Sequence, residues 1–358
     1  MSAPARALAR AKREDLVKAA VLVRPRTFRV ETVRDPLPGS GEVLVKVAGA
    51  GICGTDYRIW TGERTVRYPL VPGHEFIGDV VTVGSGVTRV APGTRVAIEP
   101  NWGCGVCDLC REDRENLCLA RTAVGIDRDG GFAELAVLPE RACWPAPASL
   151  SPEVLLFAEP LAVVTRAVER ASPGPGETAA VVGAGTLGLL ALQLLKARGC
   201  RVLVIARTDR RLALARELGA VSTIAGAGEL VADAARALSG RDGVDLVIET
   251  AGTAEAVELV LGQVGVVRPG GRVVLTGLPH QPARIEFFWI VRREIDIRGS
   301  MIYRDEFGQA VALLAEGRVR VDKLLTHRFG LTAIDAALAA HRDPASIKVA
   351  VFPGGSVG

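Results

Sequence analysis

The sequence predicts an α/β protein of two domains, in which a β-rich part is followed by a doubly wound parallel sheet. At 358 residues, the chain exceeds the usual size of a single domain. From Ala19 to about Glu140, short valine- and isoleucine-rich runs alternate with glycine and proline, which is typical of strands and turns. From residue 178 onward, apolar runs alternate with helical segments, as in a parallel sheet covered by helices.

The composition excludes several classes of protein. Apolar residues make up 49% and charged residues 23%, the balance of a folded globular chain rather than a disordered one. The formal net charge is +4 without a long basic block, so we expect no nucleic-acid partner. Residues 179–195 are the longest apolar run, but their glycines favour a strand and a turn over a membrane span. Residues 1–19 lack the apolar core of a secretory signal, so we expect a cytoplasmic protein with no membrane partner.

The elements are expected in the following order. Residues 41–53, 78–86 and 92–100 have the character of strands and turns in a compact barrel-like domain. A helix is expected over residues 152–172, begun by Pro152 and interrupted at Pro160. Further strands are expected at 178–185, 200–206, 244–250, 271–277, 294–300 and 348–352, and helices at 186–199, 209–219, 306–317 and 332–341.

The first motif that indicates a binding function is a glycine-rich turn. The pattern G-x-G-x-x-G ends a strand and opens a helix, with Thr186 and Leu187 between its last two glycines. Gly183 would allow the tight turn, Gly185 the approach of a pyrophosphate, and Gly188 the packing of helix on strand. The N–H groups of the helix N-terminus would then bind the phosphates. We therefore expect a dinucleotide site.

The end of the next strand bears on the choice between NAD and NADP. A carboxylate there would bind the ribose 2′-hydroxyl of NAD, but the strand is followed by Arg207 and Thr208. The guanidinium of Arg207 suits a 2′-phosphate, although a solvated loop arginine is the alternative. Asp209 is expected to cap the following helix. These residues favour NADP over NAD.

Four cysteines, Cys104, Cys107, Cys110 and Cys118, fall within fifteen residues. In a chain without an export signal, this spacing indicates a metal site rather than disulfides. Four thiolates fill a tetrahedral zinc shell and leave no position for water or substrate. We expect a structural zinc, with unligated buried thiols as the alternative.

Three short motifs together supply donors for a catalytic zinc: Cys53 in CGTD, His74 and Glu75 in PGHEFIG, and Glu159 in AEP. One sulfur, one imidazole nitrogen and two carboxylates are donor types that such sites use. A Lewis acid there would hold an alcohol oxygen and make the neighbouring carbon a hydride donor. Taken singly, a buried cysteine or histidine is more often structural.

The segment G-H-E-x2-G-x5-G, from Gly73 to Gly84, resembles the signature of zinc-containing medium-chain dehydrogenases. The motifs also follow the order of that family, and the resemblance covers nearly the whole chain from about Leu16. The pair Glu159–Pro160 resembles the branch of polyol, threonine and glucose dehydrogenases. The resemblance implies an N-terminal extension over residues 1–18, a GroES-like catalytic domain over 19–160, a Rossmann domain over 161–298, and a return to the catalytic domain over 299–358.

The resemblance also implies roles for the zinc ligands. Cys53 and His74 are similar to the first two catalytic ligands, and Glu159 to the carboxylate that completes or approaches the shell. Glu75 matches a residue that can ligate in exchange with water or the other glutamate. Zn²⁺ with one thiolate, one neutral imidazole and one carboxylate is neutral, whereas a second carboxylate would make it a poorer Lewis acid. Which glutamate ligates is left open.

Further roles implied by the resemblance concern proton transfer and the coenzyme. Thr55 resembles the hydroxyl that binds the substrate oxygen and passes its proton onward, and Asp56 resembles the acid that orients the ligand histidine. Many relatives carry a relay histidine where this chain has Arg58, which cannot shuttle protons in the same way. Contacts on the nicotinamide side are expected around Thr250–Gly252 and Thr276–Leu278.

These expectations favour a zinc-dependent NAD(P) oxidoreductase that interconverts a secondary alcohol and a ketone on a polyol-, sugar-, cyclitol- or amino-sugar-like substrate. Arg58 and Arg207 motivate an alternative, an NADPH-dependent reductase of a ketone, enone or imine. A non-catalytic dinucleotide-sensing protein is a third, less favoured because every metal ligand is retained. By resemblance, we expect two zinc ions per chain and a homodimer or homotetramer that pairs sheet edges formed by residues 273–278 and 294–299.

The sequence does not identify the substrate pocket. Six residues near the motifs are candidates for its lining, and three histidines without a motif are expected to be structural or exposed. Cys143 and Cys200 are expected to be buried thiols. The lining candidates are Tyr57, Arg58, Trp60, Glu99, Asn101 and Phe132, and the histidines are His280, His327 and His341.

Overall fold

The strand-rich start of the chain forms a two-stranded ribbon and most of a seven-stranded sheet in the computed structural model, which describes residues 16–354. The side chains of Val43, Val45 and Val47 alternate along one strand and are all buried, as the period of a strand requires. The elements of this part are β1 (Leu16–Arg24), β2 (Thr27–Arg34), β3 (Glu42–Ile52), α1 (Gly54–Thr61), β4 (Glu75–Val83), β5 (Arg95–Ile98), β6 (Asn101–Trp102), α2 (Asp108–Arg111), β7 (Thr122–Ala123), β8 (Leu135–Pro139) and β9 (Cys143–Pro145).

The expected N-terminal extension over residues 1–18 ends too late. β1 already begins at Leu16, and Leu16, Val17 and Lys18 pair antiparallel with β2. These three residues lengthen the strand in the N-terminal direction, ahead of the buried apolar residues that follow them. Residues 1–15 lie outside the described part of the chain.

Two helices replace the single interrupted helix expected over residues 152–172: α3 (Pro152–Leu155) and α4 (Ala158–Ala171). The expected interruption at Pro160 is wrong, because the break lies at residues 156 and 157. Pro160 occupies the first turn of α4, where backbone N–H groups have no intrahelical partner and proline is tolerated. α3 has Pro152 at its first position, and the Ser151 hydroxyl accepts a hydrogen bond from the N–H of Val154.

The middle of the chain forms a six-stranded parallel sheet with strand order β12-β11-β10-β13-β14-β15. This is the order of a Rossmann fold, and it confirms the predicted doubly wound sheet. The strand order reverses between β10 and β13, where such folds bind their ligands. The elements are β10 (Thr178–Val182), α5 (Thr186–Ala197), β11 (Arg201–Ala206), α6 (Asp209–Glu217), β12 (Ser222–Ala225), α7 (Glu229–Ser239), β13 (Val244–Glu249), α8 (Ala254–Leu261), β14 (Val267–Leu275), α9 (Phe287–Arg293) and β15 (Asp296–Gly299).

The end of the chain rejoins the first sheet through α10 (Glu306–Ala315), β16 (Leu325–Gly330), α11 (Ile334–Ala340) and β17 (Lys348–Phe352). β17 pairs antiparallel with β3 and parallel with β16, so the C-terminal strand lies beside the central strand of the first sheet. Among residues 16–354, no helix has the length and apolar character needed to cross a bilayer.

Candidate functional site

Cys53, His74 and Glu75 meet where two strands of the first sheet end side by side. β3 ends directly before Cys53, β4 begins at Glu75, and the antiparallel register places Gly51 opposite Glu75. The Cys53 sulfur, an imidazole nitrogen of His74 and a carboxylate oxygen of Glu75 all lie within 4.8 Å of one another. A soft sulfur, an imidazole and a carboxylate at this spacing can share one Zn²⁺ ion.

Asp56 fixes the orientation of two of these residues. Its Oδ2 accepts a hydrogen bond of 2.8 Å from the N–H of Cys53, and its Oδ1 lies 3.2 Å from Nδ1 of His74. Burial raises the pKa of Asp56, but attraction to His74 and these hydrogen bonds outweigh it and lower the pKa. Burial lowers the pKa of His74, but Asp56 outweighs it and raises that pKa well above its ordinary value. Because Nδ1 is engaged, Nε2 of His74 remains available as a ligand.

Lys348, the first residue of β17, forms a buried ion pair with Glu75. Its ammonium also donates to the carbonyl oxygen of Ile52 at 3.3 Å. Burial lowers the pKa of Lys348, but attraction to Glu75 outweighs it and raises the pKa. Glu75 is therefore held by a cation from the C-terminal strand, a partner that no sequence motif indicated.

Glu159 lies near this group but outside the three-residue cluster. It belongs to the first turn of α4 and is buried. Burial, reinforced by repulsion from Glu75, raises the pKa of Glu159 to about 8. The structure thus brings Cys53, His74 and Glu75 together, with Glu159 within electrostatic reach. Thr55 is half-buried in the first turn of α1.

His341 lies closer to this cluster than the sequence indicated. Its Nε2 is 3.9 Å from the position that a Cβ would take on Gly54, and its ring is 6.3 Å from that of Tyr57. Burial and then repulsion from Lys348 lower the pKa of His341 to about 4, so its imidazole is neutral at pH 7. The sequence predicts a structural or exposed role for His341, because no motif surrounds it.

The four-cysteine loop has the dimensions of a zinc–sulfur site. The sulfur–sulfur distances are 4.0 Å for Cys104–Cys110, 3.5 Å for Cys107–Cys110 and 3.7 Å for Cys107–Cys118. Zinc–sulfur bonds of about 2.3 Å in a tetrahedron place the sulfurs about 3.8 Å apart. Backbone N–H groups of Val106 and Cys107 lower the pKa of Cys104 to about 6, whereas burial raises the pKa of Cys110 to about 12. A bound cation would favour the thiolate at both positions.

The glycine-rich turn lies at the point where the strand order of the parallel sheet reverses. Gly183 has φ +101°, a conformation that favours glycine. A Cβ on Gly188 would lie 1.7 Å from the carbonyl oxygen of Gly183, so only glycine fits there, whereas one on Gly185 would meet no atom within 4 Å. The Thr250 hydroxyl donates to the carbonyl oxygen of Val182 at 2.9 Å and ties the turn to β13. The open side at Gly185 is suited to a phosphate at the start of α5.

The other expected coenzyme residues surround this turn. Leu187 is half-buried in the first turn of α5, next to Thr186. The Thr276 hydroxyl, after β14, is buried without a hydrogen-bond partner among residues 16–354. Thr208 is the residue that precedes α6 as its N-cap, so the expected capping role of Asp209 is wrong. Asp209 is instead the first helical residue, where a carboxylate interacts favourably with the helix dipole.

Arg207 is exposed at the end of β11, and Arg211, one helical turn later, lies near enough for the two to repel each other. Arg211 was not identified from the sequence, although its spacing from Arg207 could have indicated it. Burial and then this repulsion lower the pKa of Arg211. Glu255, at the start of α8, is the acidic group that attracts Arg207. Two guanidiniums at this strand end suit a phosphate better than a ribose hydroxyl.

Residues 346–348, called here the bridging segment, connect the coenzyme turn with the zinc ligands. The Arg211 guanidinium donates to the carbonyl oxygen of Ser346, and the Thr186 hydroxyl donates to that of Ile347 at 2.8 Å. Lys348 then reaches Glu75. The segment therefore contacts both expected sites over three consecutive residues.

A cavity of about 550 Å³ lies between the four-cysteine lobe and the segment before α10. Of the lining candidates from the sequence, Glu99 and Asn101 line it, whereas Phe132 is buried in the core. The Asn101 amide donates to the Tyr303 hydroxyl at 3.0 Å, and Trp144 Nε1 donates to Glu99 at 2.6 Å. Burial, followed by repulsion from Glu159, raises the pKa of Tyr303, which lines this cavity. Cys143 and Cys200 are buried, as predicted.

Comparisons with known proteins agree with this geometry. Residues 39–148 match the alcohol dehydrogenase GroES-like domain, and residues 186–316 match the zinc-binding dehydrogenase domain. The chain is 36% identical to L-threonine 3-dehydrogenase of Streptomyces avermitilis, over 86% of this chain and 90% of that protein. It is 34% identical to sorbitol dehydrogenase of Bacillus subtilis, over 94% and 97% of the two chains.

A solved structure gives the same result. A candidate zinc-binding dehydrogenase from Sinorhizobium meliloti, bound to NADP, superposes with a TM-score of 0.89 at 36% identity and covers 95% of this chain and 100% of that one. Both the family-model matches and the full-length relatives carry the same conclusion. The chain belongs to the zinc-containing medium-chain dehydrogenases, in the polyol and threonine dehydrogenase branch, and is a zinc-dependent alcohol dehydrogenase that uses a nicotinamide coenzyme.

Proposed function

We propose that the enzyme holds two zinc ions per chain, prefers NADP to NAD, and interconverts a secondary alcohol and a ketone on a polyol-, sugar-, cyclitol- or amino-sugar-like substrate. The observation that carries this proposal is the convergence of Cys53, His74 and Glu75 within 4.8 Å. The relatives named threonine and sorbitol dehydrogenase support a substrate with several polar groups.

Zinc, when bound, would supply Lewis-acid polarisation of the substrate oxygen, and the nicotinamide ring would exchange a hydride with the neighbouring carbon. Cys53 and His74 would hold the ion, with Asp56 keeping Nε2 of His74 turned toward it. Thr55 would bind the hydroxyl of the substrate and take up its proton. Arg58 cannot relay that proton further, so water or the coenzyme ribose would carry it.

Glu75 and Glu159 are the two candidates for the third zinc ligand. Glu75 is restrained by Lys348, whereas Glu159 is buried beside it with a raised pKa. A cation placed among these groups would lower the pKa of Glu159 and favour its ionised form. We therefore propose that Glu159 completes or approaches the shell while Glu75 remains paired, and that the two can exchange.

The second zinc would occupy the four-cysteine loop, where the sulfur–sulfur distances of 3.5–4.0 Å support a tetrahedral site. No position for water remains when four thiolates bind, so the role of this ion is structural. It would fix a lobe whose regular structure is limited to one short helix and one 3-10 turn.

The NADP preference rests on Arg207 and Arg211 at the end of β11. Gly183, Gly185, Thr186, Leu187 and Gly188 would bind the pyrophosphate, with Thr208, Thr250 and Thr276 around the rest of the coenzyme. We expect Arg207→Asp to lower the affinity for NADP at least ~10-fold more than that for NAD, because a carboxylate repels the 2′-phosphate. Fluorescence titration of both coenzymes measures this, and equal losses would show that Arg207 does not contact the phosphate.

We also propose a domain division, an oligomeric state and a cellular location for this chain. The division into a catalytic domain (19–160 and 299–358) and a coenzyme domain (161–298) is supported by strand membership of the two sheets. A homodimer or homotetramer is supported by the exposed apolar residues Phe287, Phe288 and Val291 next to the edge strand β15. A cytoplasmic location is supported by the clustered cysteines.

A turnover screen tests the proposed function. Purified, zinc-loaded enzyme is offered secondary alcohols with NADP⁺ or NAD⁺, and matching ketones, enones and imines with the reduced coenzymes. We expect alcohol–ketone interconversion that a chelator abolishes. Turnover confined to enones or imines and unaffected by the chelator would favour the NADPH-dependent reductase instead.

A further inference from the structure

Glu249, the last residue of β13, carries a carboxylate that is completely buried. Its Oε1 accepts a hydrogen bond of 2.8 Å from the N–H of Gly252, whereas its Oε2 forms no hydrogen bond among residues 16–354. Burial raises the pKa of Glu249, although facing backbone N–H groups, first that of Gly252, act in the opposite direction. A carboxylate without exposed surface costs free energy unless it is compensated, so its position at this strand end calls for an explanation.

Two turns expected to contact the nicotinamide, residues 250–252 and 276–278, meet at this carboxylate. A Cβ on Gly277 would lie 2.7 Å from Oε2 of Glu249 and 2.3 Å from the backbone nitrogen of Gly252, so only glycine permits this approach. The main-chain carbonyl oxygen of Glu249 also accepts the N–H of Gly277 at 3.2 Å. Glu249 thus contacts the first turn through its side chain and the second through both its side chain and its main chain.

The next residue, Thr250, contacts a different turn. Its backbone N–H and its hydroxyl each donate to the carbonyl oxygen of Val182 at 2.9 Å, and the hydroxyl also lies 3.2 Å from that of Gly183. Gly183 opens the glycine-rich turn that is expected to bind the pyrophosphate. Two consecutive residues at the end of β13 therefore contact separate turns, Thr250 on the pyrophosphate side and Glu249 on the nicotinamide side.

Asp245, the other buried acid of β13, has the contacts of a purely structural group. Its carboxylate accepts the N–H and the hydroxyl of Thr178 at 2.8 and 2.7 Å, and it pairs with Arg268 at 2.8 Å. Glu249 forms no such salt bridge within the part of the chain that the structure describes. Its compensation comes instead from backbone groups of the two turns, so the carboxylate and the turns determine each other's positions.

We propose that Glu249 is a positioning residue for the nicotinamide half of the coenzyme, because its carboxylate fixes the spacing between the turns 250–252 and 276–278 before the coenzyme binds. Since Glu249 has no exposed surface, it acts through the backbone of these turns rather than by touching the coenzyme. A site whose contacts are already in place loses less free energy to ordering when its ligand binds. This inference rests on the proposed coenzyme site and identifies the buried group that preorganises its nicotinamide side.

Coenzyme fragments separate the nicotinamide half from the rest. Calorimetry on the zinc-loaded enzyme compares NADPH with 2′-phospho-ADP-ribose, which lacks the nicotinamide ring, and NADH with ADP-ribose. We expect Glu249→Ala to weaken binding of the whole coenzymes by about 10-fold or more and binding of the fragments by less than about twofold. Glu249→Gln keeps an acceptor for the N–H of Gly252, so the whole coenzymes should lose only about threefold.

Gly277→Ala tests the same spacing without altering the carboxylate. The added Cβ has no room beside Gly252 and should push the two turns apart, so we expect the same selective loss for NADPH and NADH. Thr250→Val removes the hydroxyl bond to the glycine-rich turn and should weaken coenzyme and fragment equally. The matched control is Asp245→Asn, which should lower the unfolding midpoint but leave the ratio of coenzyme to fragment affinity unchanged.

Amide hydrogen exchange of the coenzyme-free protein gives a second readout. We expect Glu249→Ala and Glu249→Gln to speed exchange in residues 250–252 and 276–278, because the carboxylate no longer restrains these turns. Asp245→Asn should leave exchange in both turns unchanged.

The outcomes are distinguishable. Glu249 variants that lose coenzyme and fragment affinity equally, or lose neither, would overturn the positioning role. If Glu249→Ala does not fold, Glu249→Gln and Gly277→Ala decide, and an unchanged affinity ratio in both would overturn it. A parent protein that binds neither NADPH nor NADH would contradict the proposed coenzyme site, and the positioning role with it.

Discussion

Lys348 and Glu75 form an ion pair at the candidate zinc site, with side-chain exposures of only 3% and 4%. Two charges so far from water are stable only together, because each compensates the desolvation of the other. The same carboxylate is a potential zinc ligand. The pair therefore connects the stability of the fold to the occupancy of the metal site.

We expect Lys348→Met to destabilise the metal-free protein by about 3–5 kcal/mol, because Glu75 is left buried without a partner. The loss should be smaller in the zinc-loaded protein, where the ion replaces part of the missing positive charge. Urea unfolding with and without zinc measures both values. Lys323→Met, which breaks the exposed pair with Glu217, is the matched control and should cost less than about 1 kcal/mol. An identical loss in both metal states would contradict this coupling.

Glu99 should make stability depend on pH. Burial raises its folded-state pKa from 4.5 to about 7, so the folded protein retains a proton that the unfolded chain releases between these values. Stability then falls as pH rises from about 4.5 to about 7. Glu99→Gln should remove this loss and raise the unfolding free energy by about 1–3 kcal/mol at pH 8, with little change at pH 4.5. Exposed Glu316→Gln is the control. A gain that is equal at both pH values would refute the assignment.

Residues were predictable from the sequence when a local pattern carried them. Gly183 and Gly188 belong to a motif whose spacing reflects a turn and a close helix–strand contact, and the four cysteines belong to one loop. Lys348 was missed because its partner, Glu75, is distant in sequence, as is Ser346, the partner of Arg211. Only the assembled fold brings such pairs together.

At the level of elements, the four-cysteine loop is a lobe with little secondary structure of its own. Its short α2 helix and the neighbouring turn are held by backbone hydrogen bonds and by the cysteine cluster. In such segments the metal provides much of the folding free energy. Loss of this zinc ion should therefore lower the stability of the lobe more than it lowers the catalytic rate.

We expect Cys110→Ser and Cys53→Ser each to contain one zinc per chain where the parent contains two. Cys110→Ser should lower the unfolding midpoint and open the lobe to proteolysis, whereas Cys53→Ser should abolish turnover with little change in stability. Elemental analysis and limited proteolysis distinguish the two variants. If Cys53→Ser retained both zinc ions, the assignment of Cys53 as a catalytic zinc ligand would be wrong.

The regular elements followed from periodicity where apolar residues dominate. The strands β10, β11 and β13 are buried on both faces and were recognised as continuous apolar runs. β12, α8 and α9 were not assigned because they are only four, eight and seven residues long, too short for a clear periodicity. α7 was also not assigned, although its buried residues follow a helical period. The misplaced break near Pro160 has a different cause: proline breaks a helix in its interior, whereas the first helical turn tolerates it.

At the level of the whole molecule, the β15 edge of the six-stranded sheet combines an unpaired strand with exposed apolar residues in the described chain. β15 ends the six-stranded sheet, its Ile297 is exposed, and Phe287, Phe288 and Val291 next to it are 62–74% exposed. An apolar edge of this kind favours pairing with another strand. A second copy of the chain could extend the sheet through it.

We expect the parent protein to be a dimer or tetramer by light scattering, and Ile297→Glu to shift it toward the monomer, because a buried unpaired charge opposes edge pairing. Leu230→Glu, an equally drastic change on exposed α7, is the control and should leave the mass unchanged. A monomeric parent, or an Ile297→Glu variant of unchanged mass, would exclude this edge as the interface.

The bridging segment, residues 346–348, has a mechanical consequence. It is bonded to Arg211 and Thr186 on the nucleotide side and to Glu75 on the zinc side. The pair with Glu75 lies within the seven-stranded sheet, so a hinge that parts the two sheets must stretch or break only the two links to Arg211 and Thr186. We therefore expect this segment to restrict how far the two sheets can separate when the coenzyme is released.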